Sequence, residues 1–243
     1  MTRRCIISYA TYGREPYPLG IPRLIKSGLD NKHGYSSDSS FLIYSPDALD
    51  DSYHGVSINK KFPPYSPVPS HGDIPYGFKP YIFQIAFNLG FHQVLWCDST
   101  IVIHKPLDPV WQIAEERGLF VAANPGCPIC VWTSDDALDK MGCPRDCNLD
   151  EIQACAMAID IRNPKAKAIF TEWMMLCNDG ITFAGRGRST RPDFRDHRHD
   201  QSAMSWLTHR ESVIHEPYGM LCYHNDIPKF PQNVLANTGL GQI

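Results

Sequence analysis

Gln93-Val94-Leu95-Trp96-Cys97-Asp98 is a nearly continuous apolar run of strand length that closes on an acid. A strand wetted on one face alternates with period two. A run without alternation suits a strand covered on both faces, the situation of parallel sheets flanked by helices. The preceding segment agrees. Gly77-Phe78-Lys79-Pro80 places a proline where the first turn of a helix tolerates it. Ile82, Ile85, Ala86 and Leu89 then share one helical stripe, and Gly90 stops it.

The same alternation of strand and helix runs along the chain. Cys5–Tyr9 predicts a buried first strand that breaks into a loop at Ala10-Thr11-Tyr12-Gly13. Phe41–Tyr44, Ile101–Ile103, Leu119–Ala123 and Ala156–Ile161 predict further strands, with a weaker one at Val56–Ile58. Pro164–Cys177 predicts a helix carrying Ile169, Trp173 and Leu176 on one stripe, and Asp200–His209 another. Pro63, Pro64, Pro67, Pro69 and Pro75 exclude helix and central strand between 61 and 76, which leaves a loop over a site. Gly180–Pro192 reads as a Gly- and Arg-rich link. The expected class is α/β, in one domain.

Of the 243 residues 43% are hydrophobic, enough to fill a core, and 23 Lys and Arg against 26 Asp and Glu leave a net charge of −3. Without a basic excess a broad nucleic-acid surface is not expected, and the partner should be small. No uncharged apolar stretch approaches the ~18–20 residues of a membrane span, and Met-Thr-Arg-Arg-Cys at the start lacks a signal-peptide core. The expectation is a soluble, cytosolic protein. Nine cysteines, an odd number, disfavour a disulfide framework there. Cys127, Cys130, Cys143 and Cys147 have a spacing that four zinc-binding thiolates could use; the alternative is a surface segment with several half-buried thiols.

Asp98 lies at the carboxyl end of the central strand, where open α/β sheets bind ligands. There it either holds a divalent cation against substrate phosphates or merely starts a turn. Asp200 is a candidate catalytic or sugar-binding carboxylate, or else a helix N-cap. Asp196-His197-Arg198-His199-Asp200 can be read as a metal cluster, although Arg195 and Arg198 would repel a cation. Arg186, Arg188 and Arg191 suit a solvated loop better than a phosphate site.

Val94–Val102, with Asp98-Ser99-Thr100 at its middle, resembles the strand that carries the Asp-x-Asp motif of nucleotide-sugar glycosyltransferases of the GT-A fold. Other segments match in order. Tyr9-Ala10-Thr11-Tyr12-Gly13 is similar to the nucleoside-holding segment. Lys79 occupies the place of a basic donor contact in the retaining, glycogenin-like branch. Arg198-His199-Asp200-Gln201 resembles that branch's Asp-Gln motif, and His224 with Lys229 resembles its closing His…Lys pair. Thr100 departs from the motif by replacing its second acid, and Lys229 lies one residue closer to His224 than in the family.

The resemblance implies a GT-A-like, Rossmann-like domain with a mainly parallel central sheet flanked by helices. Its donor-binding half would span about 1–105 and its acceptor half about 106–243. It implies transfer of a sugar from a nucleoside diphosphate donor, a UDP-sugar first, to a glycan, lipid or protein hydroxyl. Asp200 and Gln201 would be catalytic. Tyr9, Ala10, Thr11, Tyr12, Lys79, Asp98, Ser99, Thr100 and Lys229 would bind the donor, and Asp98 with His224 would hold Mn²⁺ or Mg²⁺. A cation and lysines suit a leaving diphosphate that gains negative charge. The rivals are a sugar nucleotidyltransferase, which would need a fuller Gly-rich loop than Gly13-Arg14, and a non-enzymatic module stabilised by Zn²⁺ at the four cysteines. A serine hydrolase lacks its Gly-x-Ser-x-Gly elbow.

Overall fold

The central strand is flanked as its composition requires. In a computed structural model, which describes residues 2–9, 17–30, 39–44, 56–59 and 68–239, the elements begin with β1 (Arg4–Tyr9), α1 (Tyr17–Asp30), β2 (Ser39–Tyr44) and β3 (Val56–Asn59). There follow α2 (Phe78–Asn88), β4 (Gln93–Cys97), β5 (Ile101–Ile103), α3 (Asp108–Arg117) and β6 (Leu119–Phe120). Next come β7 (Ala123–Pro128), α4 (Asp135–Met141), β8 (Asp150–Ile152) and β9 (Ala156–Asp160). The chain continues with α5 (Pro164–Cys177), α6 (His199–Arg210), β10 (Leu221–Tyr223) and β11 (Leu235–Asn237).

Among the described residues six strands form the main sheet, in the order β3-β2-β1-β4-β9-β6. The first four are parallel, and the antiparallel β9 pairs with both β4 and β6. Strand β4 is buried along its whole length because its two faces feed two cores. Val94 and Trp96 pack with α2, α5 and α6, while Leu95 and Cys97 pack with α1, α3 and β5. The continuous apolar run thus reflects helices on both faces. A three-stranded sheet, β10-β11-β5, and the antiparallel pair β7-β8 complete the architecture.

Several elements depart from the sequence expectation. Leu119–Ala123 is divided: β6 ends at Phe120, and β7 starts at Ala123 after Ala122 bridges to Glu216. Helix α1 contains Pro22, yet Ile21, Leu24 and Ile25 form a buried stripe on it. Helix α3 starts on Asp108-Pro109 and stops at Gly118, whose φ of 88° suits a residue without Cβ. The proline-rich stretch at 61–67, including Pro63, Pro64 and Pro67, lies outside the described residues. Among the described residues no helix is long and apolar enough to cross a membrane.

Gly20 of α1 fixes how close that helix comes to the turn after β4. A Cβ on Gly20 would collide with the carbonyl oxygen of Ser99, which is backbone and cannot yield like a flexible side chain. The helix is therefore seated directly behind Asp98-Ser99-Thr100. Gly20→Ala should lower stability by ~1–3 kcal/mol through this overpacking. Urea unfolding of both proteins measures the difference, and an unchanged midpoint would contradict the close approach.

Candidate active site

A buried ammonium organises the site. Lys79 lies in the first turn of α2 and is 3% exposed. Its Nζ lies 3.4 Å from Asp98 Oδ1 and 3.0 Å from Asp200 Oδ2, and it donates a hydrogen bond of 3.0 Å to the carbonyl oxygen of Ala154. The rings of Tyr76 and Trp96 stand 5.3 Å from it on two sides. Burial by itself would lower the Lys79 pKa, but Asp200 and Asp98 outweigh burial and hold it above the usual lysine range. The ammonium stays charged.

The two acids arrive from opposite parts of the chain. Asp98 follows β4; its backbone N–H donates to the Cys155 carbonyl at 2.7 Å, and its Oδ1 accepts from Trp96 Nε1 at 2.7 Å. Its side chain is 31% exposed. Asp200 sits inside the first turn of α6, where Arg198, not Asp200, is the N-cap residue. The N-cap alternative for Asp200 is therefore replaced by a buried ion pair. Burial raises the Asp200 carboxyl above its ordinary range against the pull of Lys79.

These groups line a cavity of about 400 Å³. Asn124, Gln153, Arg198, Gln201 and Asn237 add polar side chains to its wall, and Tyr76, His199 and Tyr223 add rings. Its size suits a small ligand, and the density of amides and carboxylates suits one rich in hydroxyls. Tyr76 and His199 face each other with ring centroids 5.6 Å apart, and both hold left-handed backbone, at φ 57° and 47°. Such conformations are costly for side chains with a Cβ and gather at functional sites.

A second charged group lies behind the wall. Glu151 of β8 is fully buried; its Oε2 accepts from Arg198 Nη1 at 3.0 Å and from Gln201 Nε2 at 2.8 Å, and its Oε1 accepts from Ser202 Oγ at 3.1 Å. Arg198 also stacks 3.6 Å above the Trp132 ring. Burial pushes the Glu151 carboxyl up to about 7, opposed first by Arg198 and then by the bond from Gln201. The sequence reading missed Glu151. Its only signal was an acid at the head of the otherwise uncharged run Ile152–Ile159.

The sequence-chosen residues divide into groups. Lys79, Asp98, Asp200 and Gln201 meet at the cavity. Tyr9 ends β1 stacked on Phe78 at 4.1 Å and on Tyr44 at 5.5 Å. Ser99 and Thr100 are buried and do not line the cavity; the Thr100 carbonyl accepts from Thr238 N at 3.1 Å. Lys229 is 71% exposed and pairs with Asp226 at 2.8 Å, and the His224 ring stands 6.2 Å from that of His104; neither lines the cavity. Ala10, Thr11 and Tyr12 lie outside the described residues, as do Gly13 and Arg14.

Asp98 Oδ1 faces the Lys79 ammonium, and His224, the second ligand expected for a cation, is not among the residues that line this cavity. Among the described residues no three His, Cys, Asp or Glu side chains form a group able to hold a metal ion. His197 and His199 instead bond the carbonyl oxygens of Thr182 and Phe183, at 2.9 and 2.6 Å. The four cysteines whose spacing could suit Zn²⁺ form no such group either. Cys130, Cys143 and Cys147 are buried and Cys127 is half-buried. Cys143 and Cys147 hydrogen-bond each other, which raises the Cys143 thiol and lowers Cys147 to about 6 against the opposing effect of burial.

No family model matches the chain, and no curated protein matches it in sequence. Solved structures match in fold. The bifunctional glycosyltransferase WbbM, in its apo form, superposes with a TM-score of 0.60 at 11% identity, over 98% of this chain and 46% of its own. The chain thus spans about half the length of WbbM. The galactosyltransferase LgtC, solved with donor and acceptor sugar analogs, superposes with a TM-score of 0.50 at 11% identity, over 96% of this chain and 86% of LgtC. The fold is the GT-A fold of these glycosyltransferases, with a mostly parallel sheet flanked by helices.

Lys79→Met should leave the buried Asp200 carboxylate without its cation beside the partly exposed Asp98 and cost ~3–5 kcal/mol at neutral pH. Burial already raises the Asp200 carboxyl in the parent against the pull of Lys79; without that pull it rises further in the variant, so protonation relieves the variant more than the parent and the loss shrinks as pH falls. Urea unfolding of the variant and the parent at pH 5 and pH 8 tests the sign. An equal loss at both values would refute the buried triad.

Proposed function

We propose that the chain is a glycosyltransferase that moves a sugar from a nucleoside diphosphate donor, a UDP-sugar first, to a hydroxyl acceptor. The observation that carries this reading is the Lys79 ammonium fixed between Asp98 and Asp200 at a polar cavity of about 400 Å³, in a GT-A fold. That LgtC was solved with donor and acceptor sugar analogs supports the choice of ligand.

Breaking the bond between sugar and diphosphate places negative charge on the leaving group and positive charge on the sugar carbon. Transfer requires groups already oriented toward both. Lys79 holds the two acids in place without reorganisation, because all three groups are fixed before a ligand enters. The exposed side of Asp98 and the amides of Asn124, Gln153 and Asn237 are suited to sugar hydroxyls. Asp200 and the Gln201 amide lie where a carboxylate and a carbonyl oxygen can face the sugar carbon, and Arg198 supplies a second cation at the wall. The Mn²⁺ or Mg²⁺ implied by the resemblance enters none of these steps.

The purified protein is screened by thermal shift against UDP-, GDP- and TDP-sugars, each with and without Mn²⁺. A donor at a hundred times its Kd should add ~2.7 kcal/mol to stability. The expected result is a shift with a UDP-sugar that Asp98→Ala removes. Growth of the shift with Mn²⁺ would restore a role for metal. No shift with any donor, or the same shift in Asp98→Ala, would overturn the assignment.

A further inference from the structure

Gln201 presents a side-chain amide whose two ends have nearly the same shape, so its neighbours decide which end faces the cavity. Its Nε2 lies 2.8 Å from Glu151 Oε2, and an ionised carboxylate only accepts hydrogen bonds. Glu151 therefore takes the NH₂ end and turns the carbonyl oxygen away from itself. Gln201 lines the cavity, so that oxygen is directed to the ligand side. The carboxylate cannot swing to release it. Arg198 Nη1 and Ser202 Oγ hold Glu151 at 3.0 and 3.1 Å, and Arg198 is itself stacked on Trp132.

We propose that Glu151 is the positioning residue that sets the polarity of the Gln201 amide, aiming its carbonyl oxygen at the sugar carbon that becomes positive during transfer. The claim about the sugar rests on the transferase reading; the claim about the amide does not. A carbonyl oxygen there stabilises developing positive charge, whereas an NH₂ group in the same place would oppose it. Glu151 touches no ligand in this scheme and acts through its neighbour.

Side-chain amide NMR on ¹⁵N-labelled protein at pH 8, on the ionised side of the Glu151 midpoint, reads the bond without any substrate. The Gln201 protons are assigned by their loss in Gln201→Met. In the parent, one of them should be shifted downfield and exchange slowly. Glu151→Leu should return it to the position of a free glutamine, and Glu151→Gln, which keeps an acceptor, should restore the shifted signal. A free-glutamine position in the parent, or no change in Glu151→Leu, overturns the proposal. If Glu151→Leu does not fold, the parent signal alone decides.

Kinetics with the UDP-sugar found in the donor screen supply the second readout. Glu151→Leu and Gln201→Met should each lower kcat by about 100-fold, the scale of a misplaced reacting group, with donor KM little changed. The double variant should be no slower than the slower single one, because both changes remove the same interaction. Multiplying losses would show that Glu151 acts independently of Gln201 and would overturn the positioning role. If no donor is turned over, the transferase reading fails while the NMR result still decides the orientation of the amide.

Discussion

Everything at the candidate site depends on one ammonium removed from water. A buried cation is tolerable only when carboxylates and carbonyls replace its hydration, and Lys79 has two of the first and one of the second. The interaction contributes little net stability, since removing Lys79 and Asp200 from water cancels much of the attraction. What it contributes is position. Residues 79, 98 and 200 come from the start of α2, the end of β4 and the start of α6, so a single contact registers three elements against each other. The close seat of Gly20 against Ser99 holds the Asp98 turn from behind.

Charge in the cavity is arranged in two tiers. The inner tier is acid, ammonium, acid, through Asp98, Lys79 and Asp200. The outer tier is Glu151 with Arg198, backed by Trp132 and bonded to the neighbouring polar residues of α6. Both tiers converge on the first turn of α6, which supplies Asp200 and Gln201 from adjacent positions. Lys79, Asp200 and Glu151, the ionic groups most hidden from solvent, each lie against an opposite charge. A wall of this kind is stiff before a ligand arrives, a requirement for electrostatic catalysis.

What was legible in the sequence follows from which signals are local. The apolar run of β4, the stripe of α2 and the length of α5 are each set by a few neighbouring residues and were readable to within about two residues. Helix α1 was hidden because its prolines argue against a helix locally, while burial of Ile21, Leu24 and Ile25 against the sheet overrides that preference. Strands β10 and β11 are three residues each, too short for any periodicity. Of the residues chosen by motif order, Lys79, Asp98, Asp200 and Gln201 line the cavity and His224 and Lys229 do not. Glu151 illustrates the limit: its partners lie 47 to 51 positions away, and no local pattern encodes such a pairing.

Among the described residues three without a glycine's freedom hold left-handed backbone, and two of them, Tyr76 and His199, form the facing rings at the cavity. Each such residue holds roughly 1–3 kcal/mol of conformational energy that a glycine or asparagine would relieve. Selection for thermal tolerance alone would therefore be drawn to these two positions first. It would also strip two facing rings from the lining of the site. Their persistence in a lineage would accordingly record a requirement for ligand recognition, and their joint loss would mark a descendant that kept the fold after abandoning its chemistry.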